Sequence, residues 1–267
     1  MINRGKHNLL GILVDAVDYE AAVDRILEAA RDHRGAAVSA LAVHGVMTGA
    51  LDPTHRYRLN RFDLIVPDGQ PVRWALNLMY GTKLDDRVYG PELTLRVCQR
   101  AAEEQVPVFF YGSTQPVLDR MQSNLTERFP TLQIAGMEAS KFRRLTQSEA
   151  MELSTRIRQS GAAIIFAGLG CPRQETWAYE FRDLLSMPIL AVGAAFPFIA
   201  GELRQAPPRL QRIGMEWFFR LCMEPKRLWR RYALLNPAYV ALAIMQFARI
   251  RTFDTEGLMP ESTTLFG

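Results

Sequence analysis

The segment of residues 164–177 constrains the fold of this chain more than any other part of the sequence. It begins with an apolar run rich in isoleucine, which is typical of a strand covered on both faces. Gly168 and Gly170 follow and allow backbone N–H groups to approach a ligand, and Pro172 suits the first position of a helix. The pattern predicts a strand, a tight turn and a helix whose N-terminus could bind a phosphate. A plain βα loop would show the same pattern.

The same order of elements recurs along most of the chain. Short apolar runs alternate with segments such as residues 18–33, in which apolar residues recur at helical spacing. We expect strands at 9–14, 36–43, 63–66, 106–111, 132–135, 162–167 and 188–195. The alternation predicts right-handed βαβ units, and therefore an α/β fold with a Rossmann-like, mainly parallel sheet and helices on both faces. We assign this α/β domain to residues 1–202.

Ligands of such sheets bind beyond the carboxyl ends of the strands. Five loops follow predicted strands and could line one site: 43–45, 67–69, 112–113, 168–174 and 193–197. Asp68 lies at a strand exit, between Pro67 and Gly69. A carboxylate there could act as a general base, bind a ribose or hold a metal, whereas an aspartate that stabilises its own turn is an equal alternative. Arg87 could reach a phosphate, although most single arginines lie on the surface.

The remaining polar candidates carry weaker signals. His44 is also at a strand exit, but it is equally a plain loop residue. Gln174 and Glu175 lie in the first turn of a predicted helix and could contact a ligand, although a glutamate there also favours the helix dipole. Ser113 follows Gly112, but no G-x-S-x-G elbow is present to make it a nucleophile.

The character of the sequence changes after Pro207. Residues rich in arginine and large apolar side chains predict a helical appendage over residues 203–252, with breaks at Pro225 and Pro237. A basic, aromatic-rich pair of amphipathic helices favours contact with an anionic membrane surface. A helix pair packed on the domain with solvated arginines is the alternative. The polar residues 253–267 predict a flexible tail.

Composition restricts the classes of function. The net charge of the 267 residues is only +4, which does not demand a nucleic-acid partner. Three widely spaced cysteines without a C-x-x-C pair argue against disulfides and a zinc site, and they fit a reducing cytoplasm. The four histidines show no H-E-x-x-H spacing, so no metal site is predicted. The polar first seven residues lack the apolar core of a secretory signal.

Seven sequence blocks together resemble one family, the WecG/TagA/CpsF glycosyltransferases of bacterial surface polysaccharides. The two most specific blocks are GLGCPRQE at 168–175 and EWFFRL followed by EPKRLWRRY within 216–232. The other matching blocks lie in the same order along the chain, at 66–69, 87–93, 108–112, 194–201 and 204–207. The resemblance covers nearly the whole chain, to about residue 250.

The resemblance implies an inverting transferase that moves a sugar from a UDP-sugar to an undecaprenyl-diphosphate-linked saccharide. It implies a peripheral protein at the cytoplasmic face of the plasma membrane, with neither a metal nor another cofactor. Asp68 matches the family's proposed catalytic base, and Arg87 and Gln174 match positions placed at the active site. The arginines thought to close over the site and engage diphosphate are Arg220, Arg227 and Arg230. We expect further substrate contacts from His44, Gly69, Gly112, Ser113, Gly168, Gly170 and Glu175.

Three residues depart from the family's pattern. The family usually has T-x-N at the exit of the second strand, where this chain has Ala40 and Ala42, and it usually has Asp where this chain has Pro197. Those positions are thought to contact substrate or nucleotide. The donor therefore stays open between an N-acetylmannosamine-type sugar and a plain hexose such as glucose. The oligomeric state, including a homo-oligomer, stays open as well.

Two other functions compete with this interpretation. An NAD-dependent oxidoreductase could use the glycine turn, but Arg173 stands where the last glycine of G-x-G-x-x-G would be. A non-catalytic subunit that binds a UDP-sugar or lipid in a polysaccharide assembly complex would account for Ala40, Ala42 and Pro197.

Overall fold

The computed structural model describes residues 1–267, apart from the side chains of Pro208 and Arg227. The first element is an antiparallel hairpin of β1 (Asn3–Leu9) and β2 (Ile12–Val17). The single strand predicted at 9–14 is in fact centred on the turn of this hairpin. Leu10 and Gly11 have φ angles of 54° and 88°, and two consecutive residues at positive φ form a tight turn that reverses the chain.

The main sheet has six parallel strands, which confirms the predicted α/β class. They are β3 (Ala36–Leu41), β4 (Leu64–Pro67), β5 (Val108–Gly112), β6 (Ile134–Glu138), β7 (Ile164–Gly168) and β8 (Pro188–Ala191). Their order across the sheet is β4–β3–β8–β7–β5–β6. All carboxyl ends therefore lie at one edge, where the predicted loops follow their strands, except that residues 43–45 form the first turn of a helix.

Nine helices belong to this part of the described chain. They are α1 (Tyr19–Arg31), α2 (Val43–Leu51), α3 (Pro53–Leu59), α4 (Gln70–Tyr80), α5 (Gly90–Glu103), α6 (Gln115–Arg128), α7 (Gln147–Gln159), α8 (Arg173–Leu185) and α9 (Ala195–Ile199). Alternate strand residues belong to two separate apolar clusters. Phe166 packs with residues of α1, α5 and α6, whereas Ile165 packs with residues of α2, α3, α7 and α8. Helices therefore cover both faces of the sheet.

Three helices follow: α10 (Pro208–Arg212), α11 (Glu216–Met223) and α12 (Pro225–Phe247). The break predicted at Pro237 is wrong, because this proline lies inside α12. The part of the long helix that follows the proline is held by specific contacts with the rest of the fold. The Tyr239 hydroxyl donates to the Pro71 carbonyl at 3.1 Å, and Gln246 accepts a hydrogen bond from the Leu10 N–H at 2.9 Å. Within the part of the chain that the structure describes, no helix is both long and apolar enough to cross a membrane.

Residues 253–267 make specific contacts with the domain, in place of the flexible tail predicted there. The side chain of Asn60 donates to the Thr255 carbonyl at 2.6 Å. Further along, the Glu180 carboxylate accepts hydrogen bonds from the N–H groups of Thr264 and Leu265 at 2.7 and 2.9 Å. The Leu145 N–H then donates to the Leu265 carbonyl at 2.7 Å. Backbone polar groups of this segment are thus satisfied by side chains far away in sequence, which composition alone does not reveal.

Candidate active site

A cleft of about 950 Å³ lies at the carboxyl edge of the sheet, between the exits of β3 and β4 and the C-terminal helices. The wall that belongs to the α/β domain is polar and includes His44, Asp68, Gln70, Arg87 and Tyr89. The wall formed by α11 and α12 is largely apolar and includes Trp217, Leu221, Leu235, Val240 and Ile244. A ligand that fits this cleft has both a polar and an apolar part.

Asp68 follows β4, and backbone pairing fixes its position. Its N–H donates to the Leu41 carbonyl at 3.2 Å, and its Oδ1 accepts a hydrogen bond from the Gly90 N–H at 3.3 Å. The side chain is half-buried and lines the cleft. Burial raises the pKa of Asp68 to about 6, against the opposing effect of Arg87. A carboxylate with this pKa can accept a proton efficiently near neutral pH.

The small residues at the exit of β3 lie next to this carboxylate. A Cβ atom added to Gly90 would be 3.3 Å from the Ala40 Cβ, so these two residues already approach closely. Ala42 lines the cleft, and a Cβ added to Gly69 would be 3.6 Å from it. The methyl group of Ala42 therefore leaves space beside Asp68 that a larger polar side chain would occupy.

Arg87 connects the α/β domain to the C-terminal helices. Its guanidinium forms an ion pair with Glu216 of α11, and only 8% of the Arg87 side chain and 11% of the Glu216 side chain are exposed. The guanidinium also donates to the Gln211 side chain at 3.2 Å and lies 4.4 Å from the centre of the Tyr89 ring. Arg87 is thus placed to bind an anionic ligand, and Glu216 now neutralises it. Glu216 was not predicted as a site residue from the sequence.

Besides Nδ1 of His44, two buried polar atoms on the same wall have no hydrogen-bond partner among the atoms that the structure describes. They are Oε1 of Gln70 and the hydroxyl of Tyr89. Burial and the negative charges of Glu216 and Asp68 raise the pKa of Tyr89, so the phenol keeps its proton and can donate it in a hydrogen bond. Proteins satisfy nearly all buried polar atoms, so these two indicate contacts that a polar ligand would complete.

The appendage arginines predicted to cover the site differ in position. Arg220 lines the cleft, and its guanidinium lies 5.7 Å from the centre of the Phe198 ring. Arg230 is exposed beside Trp229 and is not among the described residues that line the cleft. The side chain of Arg227 lies outside the described residues, so its predicted contact stays a prediction.

Arg231, which the sequence analysis did not identify, lines the cleft. Helical spacing carries the signal that could have identified it. Leu228 is buried, Leu235 lines the cleft, and Arg231 is three residues after the first and four before the second. Residues at this spacing lie on one face of a helix, whereas Arg230 lies on another.

His44 and Gly69 both line the cleft, as the sequence analysis predicted. Burial, together with the charge of Arg231, lowers the pKa of His44 to about 4, so the imidazole is neutral near pH 7. A neutral imidazole can exchange hydrogen bonds with a sugar or a phosphate. It does not supply positive charge to the site.

The glycine turn after β7 lies farther along the same edge of the sheet. Gly168, Gly170 and Gln174 are not among the described residues that line the cleft. The side-chain carbonyl of Gln174 accepts hydrogen bonds from the N–H groups of Gly170 and Gly193, at 3.1 and 2.9 Å. Gln174 therefore holds the turn against the exit of β8. The predicted contact of this turn with a donor stays a prediction.

Gly112 and Ser113 support the neighbouring strand pair. A Cβ atom added to Gly112 would lie 2.6 Å from the Gly168 backbone, so the approach of β5 to β7 requires a glycine. The Ser113 N–H donates to the Gly168 carbonyl at 3.0 Å. Like the glycine turn, both residues are absent from the described lining of the cleft.

Glu175 is fully buried beneath the glycine turn. Its Oε1 accepts hydrogen bonds from the Ser39 hydroxyl at 3.2 Å and from the Gln174 amide at 2.9 Å. Burial raises the pKa of Glu175, against these hydrogen bonds. The structure places this carboxylate in the interior, among the supports of the turn, rather than in the described lining of the cleft.

Comparison with known proteins agrees with the resemblance read from the sequence. Residues 7–252 match the model of the family described as "Glycosyl transferase WecG/TagA/CpsF family". One relative is an N-acetylglucosaminyldiphosphoundecaprenol N-acetyl-beta-D-mannosaminyltransferase of Bacillus spizizenii, which is 29% identical over 194 residues, covering 72% of each chain. The matched range includes Asp68, Arg87 and every other residue of the cleft described above. The resemblance is thus confirmed, and the chain belongs to the WecG/TagA/CpsF family of glycosyltransferases.

Proposed function

We propose that this protein is an inverting glycosyltransferase that moves a sugar from a UDP-sugar to an undecaprenyl-diphosphate-linked saccharide. The observation that carries the proposal is the carboxylate of Asp68, which lines a cleft with one polar and one apolar wall, whereas the Glu216 carboxylate of the same cleft is ion-paired with Arg87. Its pKa of about 6 suits a general base. The name of the Bacillus spizizenii relative supports a lipid-diphosphate acceptor of this chemical class.

In this mechanism the acceptor hydroxyl transfers its proton to the Asp68 carboxylate as the oxygen attacks the anomeric carbon of the donor. The new carbon–oxygen bond forms on the face opposite the UDP, and the bond between the anomeric carbon and the UDP oxygen breaks. The bonding electrons leave with UDP. One positioned carboxylate suffices, because a direct displacement with inversion needs no covalent intermediate.

UDP gains negative charge on its diphosphate as it leaves, and fixed positive groups must stabilise this charge. Arg87 and Arg220 line the cleft near Asp68, and both lower its pKa electrostatically. We infer that the diphosphate competes with Glu216 for Arg87. The proposed reaction uses no metal ion, because arginines take the place that a cation would have. Gln174 and the glycine turn would then support the site from the adjacent strands.

The apolar wall of the cleft supports a lipid acceptor. Leu235, Val240 and Ile244 of α12 lie on this wall, where isoprenoid units next to the diphosphate could pack. Phe218 and Phe247, outside the described lining of the cleft, are 47% and 51% exposed, and Trp229, which lines the cleft, is 55% exposed. With the arginines nearby, these side chains favour peripheral binding at the cytoplasmic face of the plasma membrane.

For the donor, we propose UDP linked to an N-acetylmannosamine-type sugar. The name of the relative favours this sugar over glucose, for which no comparable support exists. The space beside Ala42 would accommodate an N-acetyl group or a ring substituent close to Asp68. A panel of UDP-N-acetylmannosamine, its uronic acid and UDP-glucose, tested with N-acetylglucosaminyl-diphospho-undecaprenol, identifies the donor by the product formed.

The test of the base is Asp68→Asn in the purified chain, assayed for sugar transfer to the lipid acceptor. We expect turnover to fall by about 10²–10⁴-fold, because the amide cannot accept the proton. Asp85→Asn is the matched control, since Asp85 is an exposed aspartate of a nearby loop outside the described lining of the cleft. Transfer by Asp68→Asn at the rate of the parent would remove Asp68 from the role of base. UDP-sugar binding without transfer in the parent would favour a non-catalytic subunit.

A further inference from the structure

Three potential metal ligands converge below the glycine turn, outside the described lining of the cleft. The side chains of His55, Cys171 and Glu175 each offer one ligand atom, and these atoms lie within 4.8 Å of one another. His55 belongs to α3, Cys171 to the turn after β7 and Glu175 to the first turn of α8. His55 is 2% exposed and Glu175 is 0% exposed, so this is an interior cluster and not a group of solvated acids.

Two of these side chains have a buried polar atom without a hydrogen-bond partner. Nε2 of His55 and Oε2 of Glu175 have no hydrogen-bond partner among the described residues. The other carboxylate oxygen of Glu175 is held by Ser39 and Gln174, at 3.2 and 2.9 Å. This arrangement fixes one carboxylate oxygen, and the carboxylate also interacts with the side chain of Cys171 in the cluster. Supporting hydrogen bonds of this kind are typical around metal ligands.

We propose that His55, Cys171 and Glu175 form a binding site for a divalent zinc-type ion. A thiolate, an imidazole and a carboxylate are a donor set that suits Zn²⁺, whereas Mg²⁺ and Ca²⁺ prefer oxygen atoms alone. Zinc–ligand bonds are about 2.0–2.3 Å long, so small side-chain rotations would draw the three atoms inward. A water molecule would complete four-coordination. Cys171 is half-buried, which gives an ion access from the turn.

The ion would act as a structural link between α3 and the glycine turn. Cys171 and Glu175 lie four residues apart, around the start of α8, while His55 is more than a hundred residues earlier in the chain. The absence of H-E-x-x-H spacing therefore does not decide against this site, because the fold brings the third ligand from a separate helix. The proposal concerns the support of the turn and leaves the role of Asp68 unchanged.

The experiment measures metal binding and stability of the full chain in a Cys222→Ser background, which removes the exposed thiol. After dialysis against Zn²⁺ and removal of unbound metal, we expect one zinc per chain by elemental analysis. Co²⁺ in place of Zn²⁺ should give a thiolate-to-cobalt charge-transfer band. Added Zn²⁺ should also raise the melting temperature of the metal-free protein, because it binds the folded state.

Cys171→Ala and His55→Gln should each abolish the stoichiometric zinc, the cobalt band and the rise in melting temperature. Cys98→Ala is the matched control, because Cys98 is a buried thiol in the apolar cluster on the opposite face of the sheet. Circular dichroism of the metal-free variants verifies that they fold. A folded parent chain without stoichiometric zinc or a cobalt band would overturn the proposal. So would a Cys171→Ala variant that binds zinc as the parent does, since this would reveal adventitious binding elsewhere.

Discussion

The two halves of the carboxyl edge of the sheet differ in how their polar atoms are satisfied. At the exits of β7 and β8, Gln174 bonds to the N–H groups of Gly170 and Gly193, so the turn is closed by its own neighbours. At the exits of β3 and β4, the partner of Arg87 comes from α11, far along the chain. There the Tyr89 hydroxyl has no hydrogen-bond partner among the described residues.

This difference separates scaffold from site. A turn whose backbone N–H groups are bonded to a neighbouring side chain is held in place whether or not a ligand is bound in the cleft. A loop whose arginine is paired with a glutamate of α11, and whose buried hydroxyl has no described partner, can exchange those contacts for contacts with a ligand. The glycine turn carries the more conspicuous sequence motif. The half that contains Asp68 nevertheless has the charged and unpartnered polar groups that a ligand could contact.

The largest expected change in stability comes from breaking the ion pair of Arg87 and Glu216, in the half of the edge that contains Asp68. Arg87→Gln leaves the Glu216 carboxylate buried without its ion pair, and removal of one partner of a buried pair costs about 3–5 kcal/mol of folding free energy. Chemical denaturation measures the loss. The double variant Arg87→Gln/Glu216→Gln should recover most of the stability but little of the sugar transfer. Arg96→Gln breaks an exposed pair and should cost less than about 1 kcal/mol.

A smaller effect on stability is expected in the other half of the edge. Gln174→Ala removes the acceptor shared by Gly170 and Gly193, and we expect a loss of about 1–3 kcal/mol in the free energy of unfolding. Gln99→Ala, at an exposed helical position, is the control and should change stability little. If Gln174→Ala kept full stability and lost donor binding instead, the glycine turn would belong to the site and not to its scaffold.

The pH dependence of the reaction tests the electrostatics of the Asp68 half. Since the pKa of Asp68 is raised to about 6, kcat/KM should fall by about tenfold per pH unit below this value, where the base is protonated. Glu216 contributes to the raised pKa. Glu216→Gln removes this negative charge, so the acidic limb of the profile should move to lower pH. A limb that stays in place, or moves to higher pH, would contradict the assignment of Asp68 as the titrating group.

The smallest expected effect is on membrane binding by the C-terminal helices, which form the other wall of the cleft beside Asp68. Trp229 is 55% exposed on α12, and Trp229→Ser should weaken cosedimentation with anionic vesicles several-fold, because a large aromatic contact is lost. Met151→Ser removes an equally exposed apolar side chain from α7 and should leave vesicle binding unchanged. Equal binding of both variants and the parent would mean that α12 does not contact the lipid surface through Trp229.

Much of the fold follows from local sequence. Apolar runs of four to eight residues predicted the six strands of the main sheet, although the runs at 36–43 and 188–195 extended beyond the ends of β3 and β8. The residues after the strands marked the carboxyl edge of the sheet. Asp68 was predictable because a strand ends at Pro67. The hairpin at Leu10 was not, since leucine seldom adopts positive φ and no local signal announces it. The continuation of α12 through Pro237 was hidden for a similar reason, because tertiary packing outweighs the local tendency of proline.

The residues that form the site were harder to predict from the sequence than its position in the fold. Glu216 and Arg87 are separated by more than a hundred residues, and only the folded chain shows that they form a pair. Arg231 was recognisable in principle from helical spacing, but the choice among Arg227, Arg230 and Arg231 depends on which face of α12 meets the cleft. The contacts of residues 253–267 likewise depend on distant partners such as Glu180 and Asn60.

The contact between Gln246 and the Leu10 N–H anchors the last turn of α12 to the β1–β2 hairpin. Tyr239 adds a second anchor through the Pro71 carbonyl. The opposite end of the appendage is joined to the domain by Arg87, through Glu216 and Gln211. The two ends therefore differ in what a bound anion does to them: it competes for Arg87 and leaves the hairpin anchor untouched. The hairpin end of the cleft is therefore held by uncharged hydrogen bonds, whereas the end at α10 and α11 depends on the charge of Arg87.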